Sequence, residues 1–294
     1  VVILRHQSGS TLKLNRVISM MLDSKPGLRY QISFYTLLLV LFASAFVMKN
    51  LDPSLLSNDE SLGRLEDKLV IIPNFSEILD VELKKQTFFD FLQPFIDQEN
   101  RNILVLRLRI QTLMDKMLGG QTLTKKEQAF INTLSEEYEV VTLEDFSEAH
   151  FRLLLRRVDV IPSSLALAQA ANESAWGTSR FALEGNNFFG QWCYSEGCGL
   201  VPRRRHQDAS HEVRSFDSIQ ASVHAYFMNI NTFPSYQNLR RMRMQLREQN
   251  KAINGYNLSE GLHSYSERGE DYVDELQSII LSNGLLERDN WDEA

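Results

Sequence analysis

The chain has 294 residues, of which 43% are hydrophobic and 23% are charged. This composition excludes intrinsic disorder and a protein that crosses a membrane many times. The formal charge of −7 argues against a nucleic-acid partner, because phosphate binding depends on Lys and Arg. Two cysteines are too few for a miniprotein held together by disulfides. We therefore expect a globular protein of one large or two ordinary domains.

Residues 1–49 are basic, with six Lys or Arg against one Asp. The uncharged run 30–48 is nearly as long as a bilayer core when it is helical. Basic residues before such a run place the N-terminus in the cytoplasm. The pattern predicts a basic segment over 1–29 and a signal anchor or signal peptide over 30–48, with the remaining chain at the periplasmic face of the inner membrane. Ala43-Ser44-Ala45 also fits a signal-peptidase site, so a periplasmic protein cleaved after Ala45 is the alternative.

Residues 50–150 are acidic and are predicted to form several helices. Thr124 and Glu127 have the spacing of a capping box, and Thr142 is predicted to begin a further helix. Earlier in this region we expect a helix around 87–92 broken by Pro94, and a second over 103–117 that stops at Gly119-Gly120. No catalytic arrangement stands out here. The chemistry is expected in a separate domain over 151–294.

The most informative segment contains a predicted helix from Ser163 to Trp176, with Pro162 before it and Gly177 as its stop. Glu173 shares one face of this helix with small and apolar side chains. Desolvation on such a face raises a carboxyl pKa and gives a usable general acid near neutral pH. On spacing alone, a solvent-facing Glu of an amphipathic helix is the favoured interpretation.

Four motifs in this segment and after it resemble those of a known family. Residues 168–182, from Ala168 to Ala182, closely resemble the signature of bacterial peptidoglycan glucosaminidases, glycoside hydrolase family seventy-three. Residues 186–190 resemble the family's Asn-Asn-(Leu/Phe)-Phe-Gly turn, and 214–218 its strand exit. Tyr265 and Tyr272 echo its Tyr-Ala-Thr-Asp-x-x-Tyr motif with one extra residue. The resemblance spans roughly 155–285.

The resemblance implies a lysozyme-like α+β fold that is mostly α, with a helical lobe, a small β-hairpin lobe and a groove for glycan between them. It implies an endo-β-N-acetylglucosaminidase that hydrolyses the β-1,4 bond between N-acetylglucosamine and N-acetylmuramic acid. Glu173 would be the general acid and Tyr265 would help to orient a sugar or water. No cofactor or metal is implied, and the partner is the peptidoglycan glycan strand. The expected substrate-binding residues are Gln169, Trp176, Asn187, Phe189, Trp192, Tyr226 and Tyr272.

A second catalytic group is also expected, because glycosidases usually pair two carboxyls. In this family a second Glu commonly sits on the β-hairpin, where this chain reads Gly199 to Arg205 without an acid. We rank Glu212 first and Glu196 second. A third possibility needs no second acid, because the 2-acetamido oxygen of the substrate can act as the nucleophile.

Cys193 and Cys198, with His206 and His211, superficially resemble a set of zinc ligands. Their spacing is shorter than that of a zinc finger, and an exported chain lies in an oxidising compartment. We therefore predict a disulfide between Cys193 and Cys198 that holds the hairpin.

Two basic clusters remain. Arg203-Arg204-Arg205 lies in the predicted groove lobe, where it could meet the carboxylates of peptide stems. The second cluster is predicted to be a solvated helix face, and it comprises Arg240, Arg241, Arg243 and Arg247.

Two other functions stay open. One is a lytic transglycosylase, which also needs a single Glu but leaves an anhydro-sugar end. The other is a catalytically weak or inactive peptidoglycan-binding scaffold that retains the groove.

Overall fold

The computed structural model describes residues 70–141, 146–203 and 210–289. Its α-helices are α1 Val81–Leu118, α2 Lys125–Glu137, α3 Glu148–Arg157, α4 Ser163–Ser174, α5 Arg180–Gly185, α6 Ile219–Thr232, α7 Gln237–Glu248, α8 Gly255–Ser259 and α9 Glu270–Ser282. Its strands are β1 Trp192–Cys193, β2 Gly199–Leu200 and β3 Glu212–Arg214. Short 3₁₀ turns lie at Phe75–Glu77, Pro234–Tyr236, Glu260–Leu262 and Leu285–Arg288. The expected class, α+β and mostly α, is confirmed, whereas the likeness to lysozyme stays a prediction.

The predicted N-terminal anchor lies outside the described residues. The chain divides into two units, Val1–Lys68 and Leu69–Ala294, and the described residues all belong to the second. Among the helices of this described part, none combines the length and the apolar run that a bilayer crossing needs.

The long helix α1 corrects one prediction. Asp80 caps its start by accepting from the Leu83 amide, and Gly119 ends it. Pro94 lies inside this unbroken helix, so the predicted break is wrong. A proline within a helix removes one hydrogen bond and costs about 3 kcal/mol. Buried side chains on both sides of Pro94, among them Leu92 and Phe95, offset that cost.

The predicted capping box of α2 is confirmed, because Thr124 and Glu127 make both of its hydrogen bonds. The predicted helix start at Thr142 lies outside the described residues, and α3 instead begins at Glu148 with Ser147 as its cap. Helix α4 ends at Ser174, two residues earlier than predicted, because Ala175 adopts a left-handed conformation with φ 51°.

The three short strands form one antiparallel sheet in the order β1-β3-β2. Cys193 pairs with Glu212, and Gly199 pairs with Arg214. The sheet therefore brings the turn between β1 and β2 against the central strand β3.

Helix α4 lies at the centre of the core that the described residues form. All residues from Ser163 to Ala171 are buried, and α1, α8 and α9 pack around the helix. Alanines at 166, 168, 170 and 171 are fully enclosed, which lets neighbouring backbones approach closely. One continuous core thus surrounds the helix that carries Glu173, with contributions from both sides of the predicted domain boundary at residue 150.

A buried charge cluster holds the chain before α4. It corrects the prediction that the second basic cluster forms a solvated helix face. Arg243 is 0% exposed and Arg240 is 3% exposed, so these two do not lie on a solvated face. Arg243 donates to the Val160 carbonyl and faces Asp159, which also pairs with Arg247 at 2.6 Å. Burial alone would raise the pKa of Asp159, but the surrounding guanidinium groups hold it below its usual value.

The N-terminus of α4 is capped from the far end of the chain. Asp289 accepts from the Ser164 amide at 2.8 Å, from the Ser164 hydroxyl at 2.7 Å and from the Gly255 amide. Burial raises the pKa of Asp289 to about 6. The C-terminal segment is thereby tied to the helix that carries Glu173.

Candidate active site

Glu173 is the penultimate residue of α4, and its side chain is half-buried. The helix ends in three consecutive residues with positive φ, Ala175, Trp176 and Gly177. A β-carbon on Gly177 would meet the Phe75 ring at 2.5 Å, so only glycine fits there. The sharp turn leaves Glu173 near an open helix end instead of within a longer helix.

Trp176 was expected to bind substrate, and the structure places its ring against α1. It packs edge-on against Phe88 and Phe89, with centroids 5.9 and 5.5 Å away. Lys85 lies over the same ring. These contacts fix the turn that follows Glu173.

The environment of Glu173 suits a group that gives up a proton. Burial raises the pKa of its carboxyl. A hydrogen bond from Tyr272 and the charge of Arg268 oppose that increase, whereas the charge of Glu275 adds to it. The pKa remains above the ordinary glutamate value, which keeps more of the carboxyl protonated near neutral pH than for an exposed glutamate.

The loop before β1 forms the other side of Glu173. Gly190 has φ +63°, and a β-carbon built on it would lie 3.2 Å from Oε2 of Glu173. Tyr265 donates from its hydroxyl to the Phe189 carbonyl at 2.9 Å. The predicted catalytic Tyr265 therefore positions the backbone next to Gly190, and its ring stacks on that of Tyr272 at 5.4 Å.

Two residues expected to bind substrate lie beneath this surface. Gln169 and Tyr226 are both 0% exposed. The Tyr226 hydroxyl donates to Gln169 Oε1 at 2.6 Å, and Gln169 Nε2 donates to the Tyr272 hydroxyl at 3.0 Å. In this structure they support Tyr272 and have no surface to offer a glycan.

Asn187 and Phe189 are also enclosed, each about 1% exposed. The Asn187 amide group donates to the carbonyls of Gln191 and Arg214, and its oxygen accepts from the Gln191 amide. Phe189 stacks on Tyr226 with centroids 4.0 Å apart. Both residues thus hold the loop that carries Gly190 against β3.

Glu212, the first candidate for the second carboxylate, is 5% exposed on β3. One of its oxygens accepts from the Gly197 amide at 3.1 Å and the other from the Gly199 amide at 2.8 Å. Cys193 and Cys198 form a disulfide across the same turn, so neither sulfur is a thiolate available to a metal. Glu196, the second candidate, is exposed at the tip of this turn.

The hairpin presents two exposed aromatic rings. Trp192 is 57% exposed and stacks on His211 at 4.0 Å, and Tyr194 is 72% exposed. Among the residues expected to bind substrate, Trp192 is the one with a broad open face. Such a ring can stack on a sugar.

Part of the first basic cluster is described. Arg203 lines a cavity of about 570 Å³ together with Arg180, Phe181 and Pro202. Arg204 and Arg205 lie outside the described residues.

Three residues near Glu173 were not found from the sequence. Arg268 pairs with Glu275 at 2.6 Å, and its guanidinium lies over the Tyr272 ring. The Asn172 amide, oriented with its nitrogen toward Glu275, joins both of them. Glu275 lies three residues after Tyr272, one turn along the same helix face, which is the signal that could have revealed it.

A half-buried, protonatable carboxyl at a helix end, beside a small sheet with exposed aromatic rings, is an arrangement suited to acid-catalysed glycoside cleavage. The comparisons with known proteins agree. Residues 148–285 match the glucosaminidase family, described as mannosyl-glycoprotein endo-beta-N-acetylglucosaminidase. This region therefore matches a glucosaminidase domain, which supports the glycoside hydrolase class that the motifs predicted.

The chain is also similar to Protein bax of Escherichia coli (strain K12). The two are 29% identical over 230 residues, which cover 78% of this chain and 81% of that protein. No solved structure matches the chain significantly.

Proposed function

We propose that this protein is an endo-β-N-acetylglucosaminidase that hydrolyses the β-1,4 bond between N-acetylglucosamine and N-acetylmuramic acid in peptidoglycan. The observation that carries the proposal is the position of Glu173, half-buried at the end of α4 and hydrogen-bonded to Tyr272. Glu173 protonates the leaving glycosidic oxygen. The match of residues 148–285 to the glucosaminidase family supports the substrate class.

The exposed hairpin rings supply the binding surface in this proposal. Trp192, with the face that His211 does not cover, and the exposed Tyr194 stack on sugar rings. The mostly buried residues Gln169, Asn187, Phe189 and Tyr226 maintain the shape of the site from below.

A mechanism with a single protein carboxylate is the second candidate, and the surroundings of Glu212 favour it. Both Glu212 oxygens already bind the hairpin backbone, which leaves that carboxylate poorly placed to activate a water. Substrate-assisted hydrolysis and lytic transglycosylation both fit one acid. A binding protein with little or no activity is the remaining alternative.

Mass spectrometry of digested peptidoglycan tests these functions. Purified sacculi are incubated with the wild-type chain and with Glu173→Gln, a near-isosteric variant that cannot deliver a proton. Reducing N-acetylglucosamine ends from the wild type alone support the proposal, and the variant should be ~10²–10⁴ slower. Anhydro-muramic ends indicate a transglycosylase. Equal digestion by both proteins would refute the role of Glu173, and digestion by neither would favour the binding protein.

Export belongs to the same proposal. The basic segment 1–29, the apolar run 30–48 and a disulfide suited to an oxidising compartment support a location at the periplasmic face of the inner membrane. A reporter fused after Leu51 should be active outside that membrane. Cytoplasmic reporter activity would contradict it, and a mature N-terminus at Phe46 would indicate cleavage after Ala45.

A further inference from the structure

Two hydrogen bonds link three buried side chains beside the candidate acid. Tyr226 donates to Gln169 at 2.6 Å, and Gln169 donates to Tyr272 at 3.0 Å. Tyr272 in turn acts on Glu173 as a hydrogen-bond donor and opposes the rise in its pKa. The three linked side chains are at most 1% exposed. Water therefore cannot replace any of these bonds without displacing the core.

The direction of these hydrogen bonds is fixed by a count of donors and acceptors. The Gln169 amide has one oxygen, which accepts, and one nitrogen, which donates. Tyr226 and Tyr272 each carry one hydroxyl proton that needs an acceptor. If the amide were reversed, Tyr272 would donate to Gln169 and no longer to Glu173. The Tyr226 proton would then lose its acceptor, Gln169 Oε1. The orientation with Gln169 Nε2 toward Tyr272 satisfies the Tyr226 hydroxyl and leaves the Tyr272 proton free to donate to Glu173.

We propose that Tyr226 and Gln169 are positioning residues that act through Tyr272: Tyr226 fixes the Gln169 amide, and the amide forces the Tyr272 hydroxyl to donate to Glu173. The importance of this donation for catalysis rests on the proposed function, whereas the donation itself does not. A donated bond stabilises the carboxylate that remains after proton transfer. Tyr226, which is fully enclosed, thereby influences the acid without contacting substrate.

Among the described residues, few charged side chains act on the pKa of Glu173. Arg268 and Glu275 act on it from the segment around α9. Tyr226, Tyr236 and Tyr265 surround it from the other elements, and burial raises the pKa of each of these phenols above its usual value. They stay neutral over the range in which a carboxyl titrates, so a change in the Glu173 midpoint reports on its hydrogen bond and on the Arg268–Glu275 pair.

The test is a direct titration of Glu173 by NMR in the full-length chain labelled with ¹³C at the glutamate carboxyl, with the signal assigned by its loss in Glu173→Gln. Tyr272→Phe should move the Glu173 midpoint to higher pH, because the carboxylate loses a donor. Tyr226→Phe should move it in the same direction, because the freed amide reverses and accepts the Tyr272 proton. The double variant Tyr226→Phe/Tyr272→Phe should titrate like Tyr226→Phe alone, because the donation is already lost.

Tyr138→Phe is the matched control, since it removes another buried hydroxyl whose surroundings do not include Glu173. It should leave the midpoint unchanged. A wild-type midpoint in Tyr226→Phe, or a further rise when Tyr272→Phe is added to it, would overturn the proposal.

If Tyr226→Phe does not fold, the variant Gln169→Glu replaces it, because a carboxylate offers Tyr272 an acceptor in place of a donor. Adding Tyr272→Phe to Gln169→Glu should then leave the Glu173 midpoint unchanged, and a rise would overturn the proposal. Both proteins in this comparison carry the Gln169→Glu substitution, so its added charge does not account for a difference between their Glu173 midpoints. A wild-type protein that titrates as expected but does not cleave peptidoglycan would refute the proposed function and leave this inference standing.

Discussion

Gly190 lies so close to Glu173 that a methyl group on Gly190 would press against the Glu173 side chain. A β-carbon on Gly190 would lie 3.2 Å from the carboxylate and 3.7 Å from Cβ of Glu173. The residue also has φ +63°, which disfavours any other side chain. Glycine at this position therefore lets the loop before β1 pack directly on the candidate acid.

Gly190→Ala is expected to impair activity more than stability. The strained φ should cost ~1 kcal/mol of folding free energy. Displacement of the Glu173 carboxylate should lower the rate of peptidoglycan cleavage by about 10²-fold. Gly120→Ala is the control, because Gly120 has φ +77° and nothing within 4 Å of an added β-carbon. Thermal unfolding and cleavage rates are measured for both variants. Equal losses of activity in the two would contradict a specific effect of Gly190 on Glu173.

The motif around Glu173 could be predicted from sequence because the helix start, the helix stop and the candidate acid all lie within about 20 residues, the span of one ordinary helix. The charge cluster at Asp159 could not, because its partners Arg107 and Arg243 lie 52 and 84 residues away. Arg243 and Arg240 have the spacing of an exposed basic face, and only the tertiary packing of α7 shows that they are enclosed. The break predicted at Pro94 is wrong for the same reason, since packing over the length of α1 outweighs a local preference.

The hydrogen bonds of Glu212 could not be predicted from the sequence either. Its neighbour Val213 begins the strand that resembles the family's groove wall, which suggested a groove acid. The antiparallel register between β1 and β3 instead places Glu212 against the amides of Gly197 and Gly199. In a single sequence, a buried Glu that organises a turn looks the same as a catalytic Glu.

Glu212→Gln separates these two roles. If Glu212 anchors the turn, the amide can accept from only one of the two glycine amides, and unfolding free energy should fall by about 1–3 kcal/mol. Activity should then fall in parallel with stability and recover on cooling. Glu196→Gln, at an exposed position in the same turn, should change stability by less than about 0.5 kcal/mol and leave activity near that of the wild type. A catalytic base at Glu212 would give a loss of rate close to that of Glu173→Gln with unchanged stability, and a base at Glu196 would reverse the order.

Asp289 should make the stability of the protein depend on pH. Burial raises its pKa from 3.8 to about 6 in the folded chain, so folding favours the protonated form. Its stabilising contribution is complete below about pH 4 and is lost as the pH rises through 6, by at most ~3 kcal/mol. Asp289→Asn does not titrate, so its stability relative to the wild type should improve between pH 4 and pH 7. Denaturant unfolding at several pH values measures this difference, and a constant difference would contradict the assignment.

Arg268 and Glu275 should shift the pH dependence of cleavage in opposite directions. Glu173 must be protonated to act as the acid, so activity is lost as the pH rises through its pKa. Arg268→Gln removes a positive charge that favours the Glu173 carboxylate, which raises the pKa of Glu173 and extends activity to higher pH. Glu275→Gln removes a negative charge and has the reverse effect. Both side chains are half-exposed, so the two shifts should shrink in high salt.

The Arg180–Glu184 ion pair on α5 provides matched controls. Arg180→Gln and Glu184→Gln should leave the alkaline limb of the rate profile in place. Shifts of the same sign in Arg268→Gln and Glu275→Gln would show that the pair acts by holding the site together, and not by its charge on Glu173.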